Sequence, residues 1–524
     1  SAATGFTVNS ATSITATAPP GTGTVDIRVS NSVGTSPTSA ADQFTYVAAP
    51  SVTSISPTAG PTGGGTTVTI TGTGFAAAPG TGAVRFGATT ATYTINSNTQ
   101  ITATAPTGSA GTVDVTVTTV GGTSATSAAD QFTYVPAPTV TSISPTAGPT
   151  AGGTSVVITG TNFSGTTAVT FGATAATGFT VNSATQITAT APAHAAGTID
   201  VRVTTVGGTS ATSAADQFTY VAAPTVTSVS PTAGPAAGGT SVVITGTNLS
   251  DATAVTFGAT AATGFTVNSA TQITATAPAG SPGTVDVRVT TVGGTSATSA
   301  ADQFTYVTAP TVTAISPTAG PAGGGTTVTI TGTGFAAAPG TGAVRFGATT
   351  ATYTINSNTQ ITATAPAGAA GTVDVTVTTV GGSSATSAAD RFTYVAAPTL
   401  TSISPTAGPT AGGTSLTLTG TNLTGATAVT FGATAASGFT VNSATSITAT
   451  APAGAAGTVD VRVTTPGGTT ATSAADQFTY VPAPTVTSVS PASGSSIGGT
   501  TVTLTGTNFT GATAVTFGGT AVAP

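Results

Sequence analysis

One segment recurs six times along this chain of 524 residues, and the repeat constrains the possible folds more than any other feature. It reads Thr-Val-Thr-Ser-Ile-Ser-Pro-Thr-Ala-Gly-Pro or a close variant, and successive copies lie roughly 86 to 88 residues apart. Copies begin at Ser51, Thr139, Thr225, Thr311, Thr399 and Thr485. A repeat of this length predicts a row of similar small domains rather than one large domain.

Two types of unit alternate along the chain. The type A units share Gly-Phe-Ala-Ala-Ala-Pro-Gly-Thr-Gly-Ala-Val-Arg-Phe, whereas the type B units carry Thr-Asn-Phe or Thr-Asn-Leu at that place. The order A-B-B-A-B-B makes the pattern repeat after roughly 260 residues. We predict type A domains at 51–138 and 311–398, type B domains at 139–224, 225–310 and 399–484, the second half of a domain at 1–50 and the first half of another at 485–524.

Strand patterns dominate each unit. In the unit 139–224, the segments 154–159, 168–171 and 198–204 are short, rich in β-branched residues and mostly alternating. In the last segment Ile199, Val201 and Val203 share one face, and Asp200 and Arg202 share the other, as in a sheet with one face in a core. Turn residues follow at intervals of roughly ten residues. We therefore predict an all-β fold, with a β-sandwich of about seven strands in each unit.

The apolar residues of these strands predict one core per unit. A unit of about 86 residues can bury such a core without disulfides. For the unit 139–224 the predicted core comprises Val140, Ile143, Val156, Ile158, Val169, Phe171, Phe179, Val181, Ile187, Ile199, Val201, Val203, Phe218 and Tyr220.

The residue types that are missing exclude several chemistries. The chain has no Cys, so it has no disulfides, no thiolate nucleophile and no Cys-based metal site. It has no Lys, so it forms no Schiff base. Its one His, His194, cannot supply an acid–base site that recurs along the repeat. We therefore predict no catalytic residue, no cofactor site and no metal site, and a protein that is not an enzyme.

The small number of charged residues limits the range of possible binding partners. Only 4% of residues are charged, the net charge is −6, and the isoelectric point lies near 4.3. Seven scattered Arg residues cannot neutralise a phosphate backbone, so nucleic acid is excluded as a partner. Thr, Ser and Gly interrupt every apolar stretch before it reaches about 18 residues, so we expect no membrane span in this segment.

The longest motif of the repeat identifies a family. Ser-Ile-Ser-Pro-x-x-Gly-Pro-x-x-Gly-Gly-Thr-x-Val-x-Ile-x-Gly-x-x-Phe, followed by Ala-Val-x-Phe-Gly, resembles the IPT/TIG family of immunoglobulin-like domains over essentially the whole chain. The resemblance implies an immunoglobulin-like β-sandwich in each unit, and tandem arrays of this family in bacteria look like surface and adhesion proteins. Some relatives bind DNA through basic loops and others are disulfide-rich receptors. This chain has neither feature, so neither function carries over.

Each unit carries two Asp residues that are candidates for a metal site. Asp200 and Asp216 lie sixteen positions apart, and the same spacing recurs in Asp286 and Asp302. Calcium bound between domains is one interpretation, but calcium requires clustered oxygen ligands, and no Asp-x-Asp occurs. We therefore favour the other interpretation, in which one Asp lies on a strand surface and the second caps a turn.

Arg changes strand between the two unit types. Type A has Arg85 with Thr116, whereas type B has Thr170 with Arg202. The two strands that carry these positions are neighbours in an immunoglobulin sheet. We predict that the single Arg, from either strand, forms an exposed ion pair with the outward Asp of its unit, such as Asp200.

Three further features have a functional and a structural interpretation. Asn162, Asn248, Asn422 and Asn508 each begin an Asn-x-Ser/Thr sequence, which suggests either glycosylation or, as we favour, a left-handed turn residue. His194 stands where sister units have Gly, and we interpret it as part of a solvated turn. The Gly-Gly-Gly at 63–65 has no following Lys and precedes a strand, so it predicts no phosphate loop.

The linkers predict the overall arrangement and, with it, a function. Only a few residues, such as Pro136-Ala137-Pro138, join one unit to the next, and Pro favours extended backbone, so the sandwiches should stack end to end as a rod. We predict a structural repeat array of an extracellular bacterial fibre, stalk or filament at the cell surface. The alternatives are the spacer of an adhesin with its binding tip elsewhere, and an accessory module of a secreted carbohydrate enzyme.

Self-association and contact with a cell surface or matrix are the predicted partnerships. Because the segment starts at Ser1 in the middle of a unit, we expect a stretch of a longer tandem array. The alternative is that 1–50 of one subunit and 485–524 of another complement each other, which gives a head-to-tail polymer.

Overall fold

Nearly all regular structure is β-strand in the computed structural model, which describes residues 1–77, 83–337 and 343–522. The strands predicted at 154–159, 168–171 and 198–204 are present, displaced by at most two residues. The strands of the unit 139–224 are Thr139–Ser144, Ala147–Pro149, Ser155–Thr161, Ala168–Phe171, Thr174–Ala175, Gly178–Ser183, Gln186–Thr190, Gly197–Thr205, Gly208–Thr209 and Gln217–Val221.

These strands form two sheets. The first sheet holds four antiparallel strands, in the order Thr139–Ser144, Ser155–Thr161, Gln186–Thr190 and Gly178–Ser183. The second holds six, in the order Ala147–Pro149, Gln217–Val221, Gly197–Thr205, Ala168–Phe171 and Thr174–Ala175, with Gly208–Thr209 beside Gly197–Thr205. Side chains from both sheets meet in one core, so the unit is an immunoglobulin-like β-sandwich, as predicted.

The same two sheets recur in four further units. The strands of 51–138 are Ser51–Ser56, Ala59–Pro61, Thr67–Thr73, Val84–Phe86, Thr89–Thr90, Thr92–Ser97, Gln100–Thr104, Gly111–Thr119, Gly122–Thr123 and Gln131–Val135. Those of 225–310 are Thr225–Ser230, Ala233–Pro235, Ser241–Thr247, Ala254–Phe257, Thr260–Ala261, Gly264–Ser269, Gln272–Thr276, Gly283–Thr291, Gly294–Thr295 and Gln303–Val307.

The remaining two complete units follow the same order. The strands of 311–398 are Thr311–Ser316, Ala319–Pro321, Thr327–Thr333, Val344–Phe346, Thr349–Thr350, Thr352–Ser357, Gln360–Thr364, Gly371–Thr379, Gly382–Ser383 and Arg391–Val395. Those of 399–484 are Thr399–Ser404, Ala407–Pro409, Ser415–Thr421, Ala428–Phe431, Thr434–Ala435, Gly438–Ser443, Ser446–Thr450, Gly457–Thr465, Gly468–Thr469 and Gln477–Val481.

The two terminal segments contain only part of this arrangement. Their strands pair as two-stranded sheets, Gly5–Ser10 with Ser13–Thr17, Gly23–Asp26 with Gln43–Tyr46, Thr485–Ser490 with Thr503–Thr507, and Val515–Phe517 with Thr520–Val522. Every helix in the described residues is a three-residue 3-10 turn, at Ala40–Asp42, Phe75–Ala77, Ala128–Asp130, Ala214–Asp216, Ala300–Asp302, Phe335–Ala337, Ala388–Asp390 and Ala474–Asp476.

The core of the unit 139–224 follows the predicted list with two errors, Phe179 and Val181, and three omissions, Phe163, Ala189 and Ala191. Phe179 and Val181 were expected inside but are exposed, because they lie on the edge strand of the four-stranded sheet and have neighbours on one side only. Phe163 was not expected and is fully buried. It lies two residues beyond the strand Ser155–Thr161 and packs in the core cluster, a position that no alternating pattern reveals.

Aromatic rings bridge the second sheet within the core. The ring of Phe218 lies edge to face against Phe171 and Tyr220, with centroids 5.4 and 4.9 Å apart. Each of the other complete units has the equivalent ring pairs. Edge-to-face packing adds to the stabilisation that burial of these large side chains provides.

Candidate functional site

The second Asp of each unit caps a turn. In the turn Ala214–Asp216, the backbone N–H of Ser213 donates to the Asp216 carboxylate, and the Ala215 N–H donates to the Ser213 hydroxyl. Asp216 itself is buried. The same capping box recurs at Ser127, Ser299, Ser387 and Ser473, so the predicted capping role is confirmed.

The environment of this carboxylate changes its acidity. Burial raises the pKa of the Asp216 carboxyl above its ordinary value, the Ser213 N–H opposes the rise, and the negative charge of Asp200 adds to it. Asp302, Asp390 and Asp476 have a raised pKa for the same first reason. In the described ranges, no three His, Cys, Asp or Glu side chains approach closely enough to hold a metal ion. The arrangement therefore serves the turn.

The predicted ion pair between Arg and the outward Asp is wrong for both unit types. The register places Arg202 opposite Thr170 and Arg85 opposite Thr116, so the strands are neighbours as expected. The guanidinium groups donate to carbonyls instead: Nε and Nη2 of Arg202 to Ser210 at 3.0 and 2.8 Å, and Nη1 of Arg85 to Ala88 at 3.1 Å.

The reason lies in the neighbouring backbone. The carbonyl that each Arg reaches belongs to the adjacent hairpin and is already fixed in place, whereas an ion pair would require a second side chain to be ordered at the surface. Across the part of the chain that the structure describes, the one ion pair is Arg391 Nε with Asp374 Oδ1, 3.8 Å apart and exposed.

The Asn residues of the Asn-x-Ser/Thr sequences have a structural role. Asn162 has φ of 59°, and its equivalents Asn248, Asn422 and Asn508 have similar values, so the predicted left-handed conformation is confirmed. The Asn162 side-chain amide donates to the carbonyl of Ala137, in the linker to the preceding unit. Glycosylation would modify the same nitrogen, so the geometry supports the turn interpretation.

His194 is not a solvated turn residue, as the sequence suggested, but is half-buried. Its ring stacks on Tyr220, with centroids 5.0 Å apart and an angle of 27° between the planes. Sister units have glycine here, for instance Gly108, where an added Cβ would lie 2.6 Å from the ring of Tyr134. The stacking of the imidazole on the Tyr220 ring accounts for the half-buried position of His194 without a ligand.

The remaining candidates offer hydrogen bonds but no reactive group. Gly64, in the Gly-Gly-Gly segment, has φ of 74°, and a Cβ there would collide with the Pro106 carbonyl, so the turn requires glycine.

A shallow hollow on the 311–398 unit is lined by Thr327, Thr352, Tyr353, Thr354, Thr362 and Thr364. Burial raises the pKa of the Tyr353 hydroxyl, which therefore stays protonated near neutral pH.

Fold and recurrent contacts together define a class, the tandem arrays of immunoglobulin-like β-sandwiches. The chain belongs to the IPT/TIG domain family, whose domain matches residues 50–134, 138–220, 224–306, 310–394, 398–480 and 484–524. No curated protein matches it. In the described residues, no helix is both long and apolar enough to cross a bilayer.

Parts of several solved structures are similar to this chain. The plexin A4 extracellular region is 14% identical with a TM-score of 0.26, covering 85% of this chain and 52% of its own, so the chain spans about half the length of that region. Invasin, described as a bacterial integrin-binding protein, is 16% identical with a TM-score of 0.20 and coverages of 65% and 78%. SGBP-B of Bacteroides uniformis is 26% identical with a TM-score of 0.17 and coverages of 39% and 57%. Likenesses this low carry no argument about function.

Proposed function

We propose that this chain is a structural, non-enzymatic spacer array of an extracellular fibre or stalk at a bacterial cell surface. One observation carries the proposal: in every complete unit, two strands near the entry and exit of the chain pair in parallel. In the unit 139–224 these strands are Ala147–Pro149 and Gln217–Val221. The recurrent buried side chains fill cores or cap turns, so no catalytic role is assigned.

Parallel pairing at the two ends suits a protein under tension. The N–H of Thr219 donates to the Thr146 carbonyl at 2.8 Å, and the N–H of Thr150 donates to the Val221 carbonyl at 3.1 Å. Tension along the chain pulls these strands in opposite directions along their length. All the hydrogen bonds between them are then loaded together, rather than one after another as in peeling, so a unit resists extension.

Stretching single molecules by their ends tests the proposal. Thr219→Pro removes the N–H that donates to Thr146, and we expect one unit of the array to unfold at a clearly lower force than the others. Thr219→Val is the matched control, because it removes the hydroxyl that contacts Thr198 but keeps the N–H. Equal unfolding forces for the two variants would contradict the proposal.

The proposed location needs its own test. Antibodies raised against the array are expected to label material outside intact cells, and labelling that requires cell lysis would contradict an extracellular fibre. An adhesin spacer would use the same mechanical property, with target binding assigned to residues other than 1–524. Binding of cells or matrix by the array alone would favour direct contact over a spacer role.

Self-association is part of the proposal. The segment 1–50 holds the equivalents of the strands Gly178–Ser183, Gln186–Thr190, Gly197–Thr205 and Gln217–Val221, and the segment 485–522 holds equivalents of strands with which these pair in complete units. Apolar side chains are exposed in both segments. We expect a polypeptide of residues 1–524 to associate head to tail, whatever flanks these residues in the native protein. A monodisperse monomer at high concentration would contradict this.

A further inference from the structure

The joints in front of type B units are held by a side chain that type A units lack at that position. The left-handed Asn at the end of the second long strand of each type B unit donates its side-chain amide to the carbonyl of the linker Ala that precedes a Pro. These bonds join Asn162 to Ala137 at 3.2 Å, Asn248 to Ala223 at 3.1 Å, Asn422 to Ala397 at 3.0 Å and Asn508 to Ala483 at 3.3 Å.

Type A units have glycine at this position. Gly74 and Gly334 keep the left-handed backbone, with φ of 78° at both, but offer no side chain to the linker. Their Asn stands elsewhere: Asn98 and Asn358 accept a hydrogen bond from the backbone of Ala76 and Ala336 in the type A loop, each at 3.1 Å. Type B units have Ala at the place of this second Asn.

A second linker contact is common to both types and cannot explain a difference. Gly207 of a type B unit packs against the carbonyl of Pro136 so closely that a Cβ would collide with it. Gly381 of a type A unit packs in the same way against the carbonyl of Thr308. This contact holds the first part of each linker that leads into a complete unit. The next linker carbonyl, that of the Ala before the Pro, is bonded by Asn in type B.

We propose that the joints in front of the type A units, before Ser51 and Thr311, are the points at which the array bends. The joints before Thr139, Thr225, Thr399 and Thr485 are clamped by Asn and stay stiff. An array of this order therefore bends once every three units, roughly every 260 residues. Such a rod changes direction at regular intervals while its intervening segments stay straight. The biological role of this bending rests on the proposed spacer function, whereas the difference between the two kinds of joint rests on the hydrogen bonds alone.

Two matched pairs of spin labels can measure the joints, because the chain contains no Cys of its own. Thr180, Thr266 and Thr354 are exposed and occupy the same place on the equivalent edge strands of three successive units. Labels at Thr180→Cys and Thr266→Cys span the joint that Asn248 clamps. Labels at Thr266→Cys and Thr354→Cys span the joint in front of Gly334.

The expected result is a narrow distance distribution across the clamped joint and a broad one across the other. One hydrogen bond at a protein surface should change the population of the bent arrangement by about 2- to 10-fold. Asn248→Gly should broaden the first distribution, and Gly334→Asn should narrow the second. Thr253→Val is the control, since it removes a hydrogen bond of the same kind, to the Thr290 carbonyl at 3.2 Å, away from the linker.

Two outcomes would overturn the inference. The first is equal widths for the two joints in the unsubstituted chain. The second is an Asn248→Gly variant whose distribution matches that of Thr253→Val. Unequal joints in a chain whose units unfold at low force, or which lies inside cells, would leave this inference standing and overturn the proposed function instead.

Discussion

The complete unit 139–224 and the terminal segments share almost the same residues but bury them very differently. Phe218 is 0% exposed, whereas its equivalent Phe44 is 39% exposed. Val201 is 0% exposed, whereas its equivalent Ile27 is 52% exposed. The hairpins themselves form in both places, with the same cross-strand partners. The hairpins of these segments therefore form without a complete core, whereas the burial of their apolar side chains requires one.

The difference also appears in one strand. Gly197–Thr205 pairs with Gln217–Val221 over its first residues and with Ala168–Phe171 over the rest. Its terminal equivalent, Gly23–Asp26, stops where the second partner would begin. Each stretch of this long central strand therefore forms only where a neighbouring strand pairs with it. The two halves of a sandwich are therefore each incomplete as folding units.

The largest change in stability is expected when one aromatic ring is removed from the core of a complete unit. Phe218→Ala is expected to lower the free energy of unfolding of the unit 139–224 by about 3–5 kcal/mol, because it leaves a cavity between packed aromatic rings. Phe44→Ala in the terminal segment should cost far less at concentrations low enough to keep the chain monomeric, since its ring is then partly in water. Hydrogen exchange of peptides from each segment measures both, and equal costs would break the comparison.

A turn cap should behave in the opposite way, because it is local. Ser213 and Ser39 each accept a hydrogen bond from the backbone two residues on, at 3.1 and 3.2 Å. Ser213→Ala and Ser39→Ala are each expected to cost about 0.5–2 kcal/mol of local stability. Exchange of the Ala215 and Ala41 amides reports the loss. A loss confined to the complete unit would show that the cap depends on burial.

The pH dependence of stability should be a property of the complete unit. Burial raises the pKa of the Asp216 carboxyl, so the folded unit binds this proton more tightly than the unfolded chain does. The contribution to stability is therefore greatest below the pKa of an unfolded Asp, about 4, and is lost as the pH rises through the folded value.

We accordingly expect the unit 139–224 to gain stability between pH 7 and about pH 4, measured by urea unfolding with exchange of its own peptides. Asp216→Asn should remove this gain while keeping an acceptor for the Ser213 N–H. The prediction fails if the variant retains the full pH dependence.

The smallest expected effect is at the surface. Arg391 stands where the other complete units have Gln, and it forms the exposed ion pair with Asp374. Arg391→Gln should change the stability of its unit by less than about 1 kcal/mol, with the difference shrinking further at high salt. Chemical unfolding at low and high salt measures this. A larger cost would mean that surface charge matters more here than burial suggests.

The residue patterns of the sequence predict most of the fold. The repeat spacing, alternating strands such as 198–204, and turn residues led to immunoglobulin-like sandwiches and to the capping Asp216. The errors concern which neighbours a residue has in space, even where the partner is near in sequence, as Ser210 is to Arg202. The edge position of Phe179 depends on the order of strands in the sheet, and the acceptor of Arg202 lies on a hairpin whose approach no spacing reveals.

By itself, the sequence determined what is local and periodic: the unit length, the strands and hairpins, the left-handed Asn positions and the absence of thiol and amine chemistry. These follow from backbone preferences and side-chain chemistry within a few residues. Only the tertiary structure decided which side chains are buried, which carbonyl each Arg and Asn reaches, and that the entry and exit strands pair in parallel. Burial requires two sheets to meet, and the hydrogen-bond partners are set by which strands and turns become neighbours in space.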